Sequence, residues 1–282
     1  MSSAMHLKAA AFLWACVSAA SAAQAPQRIV SADLCADVYV LALAEPADIA
    51  AISWQAGQAV SAAPAWALDL PRASSDAENL IALQPDLVVF GAAGAGEAGR
   101  FLDAAGIAHV SVGWGEDFAT VLANLETVGG AIGRQAEAAR LAVDLTARRN
   151  RLRVRAAERN DSPSVYYLSV TGGAAGAGTL VDEAIRMAGG RNAAAEAGAM
   201  GWQPADAEWA LRVHPDLVIT SYFTDGYATR SDLGARHSAF RRLLDSAPHL
   251  EIPSSVWSCA GPGLLDAAEA IAGRLDTMEQ GS

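Results

Sequence analysis

One phrase occurs twice in this chain without an insertion. Asp76-Ala77-Glu78, a gap of six residues and Pro85-Asp86-Leu87-Val88 return 130 positions later as Asp206-Ala207-Glu208, the same gap and Pro215-Asp216-Leu217-Val218. Each copy reads as the last turns of a helix carrying a Glu, a Pro-Asp turn and a buried apolar strand. Proline ends the helix because it lacks an N–H and its ring clashes with the preceding turn. Helix, Pro-Asp and strand is a common α/β connection. Seven identities at fixed spacing favour a two-lobed chain with one copy per lobe.

The surrounding pattern agrees. Apolar strand-like runs at residues 28–32, 49–53, 87–90 and 108–112 alternate with helical runs ending near Leu43 and Gly106, as parallel α/β units do. From residue 118 long helical periodicity takes over, and residues 134–158 contain neither Gly nor Pro. A helix of that length spans about 37 Å, the width of a domain. A second set of strands (165–170, 217–220, 252–257) and helices (179–187, 264–275) follows. The expectation is an α/β protein of two Rossmann-like lobes joined by one long helix, with a ligand cleft between the lobes. Its parts are an N-terminal lobe at 26–117, a linker at 118–160 and a C-terminal lobe at 161–282.

Residues 1–25 read as a secretory signal peptide: Lys8, an apolar run at 9–17, then small residues at 18–25. The apolar run is shorter than the roughly 20 residues that span a bilayer. Leu13-Trp14-Ala15-Cys16 approaches a lipoprotein box, but Trp14 stands where a small or β-branched residue is expected, so simple cleavage is preferred to lipid anchoring at Cys16. The expected location is the periplasm. Net charge is −11, a poor basis for binding nucleic acid, whose partners neutralise phosphates. The arginines Arg148, Arg151, Arg155 and Arg159 share one helical face, which reads as solvated.

Cys35 and Cys259 remain beyond the signal, and two cysteines in an oxidising compartment suggest one disulfide. No spacing supports a metal site, and there is no GxSxG, HExxH or P-loop. The Gly-rich turn at 171–178 lacks the GxGxxG spacing and reads as a tight loop that lets a ligand or the other lobe approach the backbone. The expectation is a binding protein without intrinsic cofactor, not an enzyme. Ligands of open α/β sheets bind beyond the carboxyl ends of the strands. Trp54, Trp114, Trp202, Tyr222, Phe223 and Trp257 fall at such places and are candidate cleft-lining residues.

Residues 28–31, the two Glu…Pro-Asp-Leu-Val phrases, Leu102-Asp103-Ala104-Ala105-Gly106-Ile107, Gly178-Thr179-Leu180…Ala188-Gly189-Gly190-Arg191-Asn192 and Trp257…Gly261-Pro262 resemble the class III (helical-backbone) periplasmic substrate-binding proteins of ABC importers. That family serves cobalamin, haem and ferric siderophores. The resemblance runs from about residue 27 to 276. It implies a monomeric receptor that delivers a metal chelate to ABC permease and ATPase subunits, with Glu78 and Glu208, one per lobe, docking onto permease arginines. It also implies that Trp202 faces the ligand, at a position where cobalamin-binding relatives carry an aromatic.

The repeat offset maps Trp202 onto Arg72, which gives one stacking and one cationic wall, suited to a planar or anionic chelate. Cys35 departs from the family pattern. With Asp33 and Cys259 it is expected to border the cleft, where a disulfide would tether the lobes. Tyr39, Tyr222 and Tyr227 are candidate axial ligands should the chelate be haem. An exported enzyme using Asp33 and Cys35, or a signalling adaptor on the same lobes, is the alternative.

Overall fold

The computed structural model describes residues 25–169, 172–221 and 238–280. In the first lobe β1 (Ile29–Ser31), β2 (Ile49–Ser53), β3 (Arg72–Ala73), β4 (Leu87–Phe90) and β5 (Ala108–Ser111) form one parallel sheet in the order β3-β2-β1-β4-β5. β4 is an unbroken apolar run, and β1 departs from one only at the buried Ser31, because both faces are covered. Ile29 and Val89 pack beneath α1 (Leu34–Leu43) and α4 (Phe118–Ala131), whereas Val30 and Val88 meet Leu80 of α2 (Ala77–Ala82) and Leu102 of α3 (Gly96–Ala104).

The second lobe repeats the plan. β6 (Ser164–Ser169), β8 (Arg191–Asn192), β10 (Leu217–Ser221) and β11 (His249–Glu251) form a parallel sheet in the order β11-β10-β6-β8, equivalent to β5-β4-β1-β2. α6 (Leu180–Met187) and the C-terminal helix Gly263–Glu279 cover one face, while α8 (Ala207–Val213) and the helix Ser238–Ser246 cover the other. The counterpart of β3, β9 (Trp202–Pro204), instead pairs antiparallel with β7 (Gly173–Ala175). The expected strand at 252–257 is not formed. β11 ends at Glu251, Pro253 supplies no donor, and Ser254–Val256 makes a 3-10 turn.

The repeated phrase is a structural unit with a physical role at each identity. Asp76 and Asp206 are N-caps that accept the amides of Asn79 at 2.9 Å and Trp209 at 2.8 Å. Glu78 and Glu208 therefore lie in the first turn of α2 and α8, not in the last turn as expected. Gln84 and His214, also related by the repeat, follow the two helices and are the non-glycine residues with positive φ among the described residues. Asp86 and Asp216 then accept the amides of Gln27 at 2.9 Å and Ser164 at 2.7 Å, which ties each Pro-Asp turn to the start of its lobe's first strand.

Between the lobes runs α5 (Gln135–Ala157), 23 residues long, packed on α4 at one side and on α6 and the C-terminal helix at the other. The arginine face is only in part the solvated one expected: Arg151 and Arg155 are exposed, but three of the four arginines are paired. Arg148 donates to Glu269 at 2.7 and 2.9 Å and to Asp266 at 2.5 Å, and Arg155 and the buried Arg159 both pair with Asp276. The Arg148 hydrogen bond holds the Glu269 carboxyl below its ordinary value. One continuous apolar core passes from Ile29 and Tyr39 through Leu145 and Leu152 of α5 to Leu180 and Leu275.

Candidate functional site

The carboxyl ends of the two parallel sheets, with the loops that follow them, meet between the lobes. From the first lobe come Cys35, Ala92 and the loop Gly113-Trp114-Gly115-Glu116, and from the second Leu180 and the segment 257–260; together they enclose a cavity of about 70 Å³. That is below the roughly 300–1,000 Å³ of ordinary ligand pockets.

Cys35 and Cys259 are joined by a disulfide, with Cα atoms 5.3 Å apart. The bridge ties the first turn of α1 to the loop before the C-terminal helix. Tyr39 reinforces it, donating its hydroxyl hydrogen to Ala260 O at 2.7 Å while accepting from Asn124 Nδ2 at 3.3 Å. Burial pushes the Tyr39 phenol up to about 12. Fully buried and twice hydrogen-bonded, Tyr39 is withdrawn from the axial-ligand role considered for it.

Asp33 is likewise committed. Its carboxylate caps α1 by accepting the amides of Cys35 at 2.9 Å and Ala36 at 3.1 Å, and it also accepts the amide of Gly91 after β4. The loops that follow β1 and β4 are cross-linked in this way at the switch point of the sheet. A Cβ on residue 91 would lie 2.3 Å from Asp33 Oδ1. Gly91→Ala is therefore expected to cost about 1–3 kcal/mol in urea unfolding. A loss under 0.5 kcal/mol on the same scale would mean that the carboxylate turns aside freely.

Arg72 does not stand free as a cationic wall, because its guanidinium donates to Leu70 O at 2.7 Å and Leu68 O at 2.9 Å. The aromatics divide. Trp54, Trp114 and Trp202 are exposed, Trp114 to 81%. Trp257 is buried, and its indole Nε1 has no hydrogen-bond partner among the described residues. Such an unpaired donor costs about 1–3 kcal/mol. Tyr167 stands edge-on between Trp202 and Trp257, with ring centroids 5.7 and 6.2 Å away, and joins the cleft rim to its floor. Tyr222, Phe223 and Tyr227 lie outside the described residues. Glu78 and Glu208 are exposed, one in each lobe, and make no hydrogen bond or ion pair among the described residues.

Glu116 was not foreseen, yet it is the charged side chain lining the cavity. It accepts the Leu180 amide at 3.1 Å and the Trp202 indole N–H at 3.1 Å to both oxygens. The signal for it was its place just after a strand, the same criterion that selected the aromatics. Among the described residues no three His, Cys, Asp or Glu side chains converge as a metal site would require. No helix there is long and apolar enough to cross a membrane.

Residues 37–243 match the model of the periplasmic binding protein family. This chain belongs to the periplasmic binding protein family. The members it resembles are binding proteins rather than enzymes. No curated protein matches the sequence. Among solved structures, a periplasmic haem-binding protein of Pseudomonas aeruginosa superposes with a TM-score of 0.71 at 23% identity, covering 88% of this chain and 92% of that one. The apo haem-binding protein of Roseiflexus sp. RS-1 gives 0.69 at 24% identity, over 88% of this chain and 98% of that one. The vitamin B12-binding protein of Vibrio cholerae gives 0.64 at 21% identity, over 90% and 98%. At these identities the neighbours show the shared two-lobed fold.

Proposed function

We propose that this periplasmic binding protein is the substrate-binding component of an ABC importer, capturing a metal chelate and delivering it to the membrane permease. The observation that carries this reading is the exposed aromatic set: Trp54 and Trp114 follow β2 and β5 at the carboxyl end of the first sheet, and Trp202, at the start of β9, reaches the same loop through its hydrogen bond to Glu116. Exposed indoles are large, rigid apolar surfaces that gain by stacking on a planar macrocycle. The haem and B12 named for the structural neighbours are chelates of that shape. The one described charge in the cavity wall is an acid, which supports a macrocycle over a strongly anionic ferric chelate. The enzymic alternative has lost its groups, since Cys35 is in a disulfide and Asp33 is spent on three amides.

Titration of the purified protein with haemin, cyanocobalamin and a ferric hydroxamate tests this, with tryptophan emission corrected for ligand absorption. Saturable quenching by haemin or cyanocobalamin with Kd below about 1 μM is the expected result. Quenching by the hydroxamate alone would overturn the preference for a macrocycle, and no saturable quenching by any of the three would overturn the chelate reading.

A further inference from the structure

Glu116 stands in a loop of the first lobe that is fixed on both sides. Asn124 grips Gly113 twice, accepting its amide at 2.6 Å and donating to its carbonyl at 3.1 Å, and Asp117 caps α4 by accepting the Thr120 amide at 2.7 Å. The Glu116 carboxylate accepts the amide of Leu180, first residue of α6, and the indole N–H of Trp202, each at 3.1 Å. A helix N-terminal amide beside an indole N–H is a donor pair suited to a ligand carboxylate. Here the chain fills that place with a carboxylate of its own. Among the described residues no arginine or histidine lines the cavity, and Arg72 gives its guanidinium to the carbonyls of Leu68 and Leu70. Asn124 has no N–H to spare, since its Nδ2 donates to Gly113 O and to the Tyr39 hydroxyl. The exposed Trp114 brings an indole N–H, a neutral donor that suits an amide carbonyl and supplies no counter-charge.

A ligand carboxylate at this wall therefore meets a like charge with no cation to offset it. A ligand amide meets the opposite. A carboxylate has about four lone-pair sites, and Leu180 and Trp202 supply two donors, so Glu116 keeps capacity to accept an amide N–H. We propose that Glu116 selects the periphery of the ligand: it makes the cleft a site for a macrocycle edged with neutral carboxamides and disfavours one edged with carboxylates. Vitamin B12 carries peripheral carboxamides and haem carries two propionates, so the selected cargo is of the corrinoid kind. Two effects of one side chain add here. Its spare lone pairs reward an N–H donor, and its charge penalises an anion where the neighbouring donors are already taken. This selection rests on the chelate-receptor reading and narrows it.

Affinities of the full-length mature protein for cyanocobalamin, its separated monocarboxylic acids (one peripheral amide hydrolysed in each) and haemin test the selection. They are read by corrected tryptophan quenching in the parent and in Glu116→Gln. The parent is expected to bind cyanocobalamin about 10-fold or more tighter than haemin, and about 5-fold or more tighter than at least one of the acids. Glu116→Gln removes the charge and keeps one acceptor, so both ratios are expected to shrink about 3-fold or more. A merely structural role would lower every affinity together and leave the ratios unchanged. Haemin bound as tightly as cyanocobalamin by the parent, or ratios unmoved in Glu116→Gln, would overturn the carboxamide selection and leave the receptor reading standing. No saturable quenching of the parent by any of these probes would overturn the receptor reading for macrocycles, and the selection with it.

Discussion

Replacing Cys35 and Cys259 together by serine is expected to lower the melting temperature by about 10 °C, a loss of about 5 kcal/mol. The two residues are 224 positions apart, and cross-linking so long a loop removes much of the freedom of the unfolded chain. The folded state keeps other ties at this point. Tyr39 donates to Ala260 O, and the backbone at Gly261 lies so close to α1 that an added Cβ would come within 2.4 Å of Val38. These contacts leave the fold of the double variant recognisable, so the loss is one of stability and not of architecture. Calorimetry of oxidised, reduced and double-serine protein checks the expectation. A shift below 2 °C in both altered forms would mean that the local contacts alone fix the loop, or that the unfolded chain is compact without the bridge.

The repeat made the two-lobed plan legible because its identities encode backbone geometry. Two aspartates cap helices, two Pro-Asp turns follow residues in the left-handed region, and two further aspartates clamp the first strand of each lobe. The same phrase misled about direction. Asp-Ala-Glu preceding an apolar run looks like the tail of a helix, yet an aspartate before a short amphipathic stretch is a start signal. The strand expected at 252–257 failed for a similar reason. Residue type favoured a strand there, but Pro253 cannot continue the ladder, and the more polar His249–Glu251 pairs with β10 instead.

The site was less legible than the fold. Aromatics at strand ends can be found in a sequence because indoles are rare and their placement is set by strand boundaries. The partners of a polar group are set by the folded neighbours. Asp33 and Arg72 look like free charges in the sequence, and both are absorbed by backbone groups brought from residues 91, 68 and 70. The ion pairs of Arg148, Arg155 and Arg159 were hidden because their acids, Asp266, Glu269 and Asp276, lie more than a hundred residues away in the chain. Glu116 shows in the sequence only by its place after a strand, since its donors are a backbone amide and an indole supplied by the other lobe.

Reversing the charge of both exposed glutamates, Glu78→Arg with Glu208→Arg, is expected to reduce chelate uptake about 100-fold or more while leaving chelate affinity unchanged. Both side chains sit in the first turn of a helix, at places made equivalent by the repeat, and neither is engaged within the protein among its described residues. An exposed carboxylate at a helix N-terminus is favoured by the helix dipole, so each reversal also costs the fold a few tenths of a kcal/mol, too little to unfold it. A permease that presents arginines to the two lobes would meet like charges at both points, and each such juxtaposition costs several kcal/mol. Uptake by cells that depend on this receptor, measured beside tryptophan quenching on the purified variant, separates docking from capture. Uptake and affinity falling together would place the glutamates in ligand binding or folding. Unchanged uptake would move the docking surface elsewhere on the lobes.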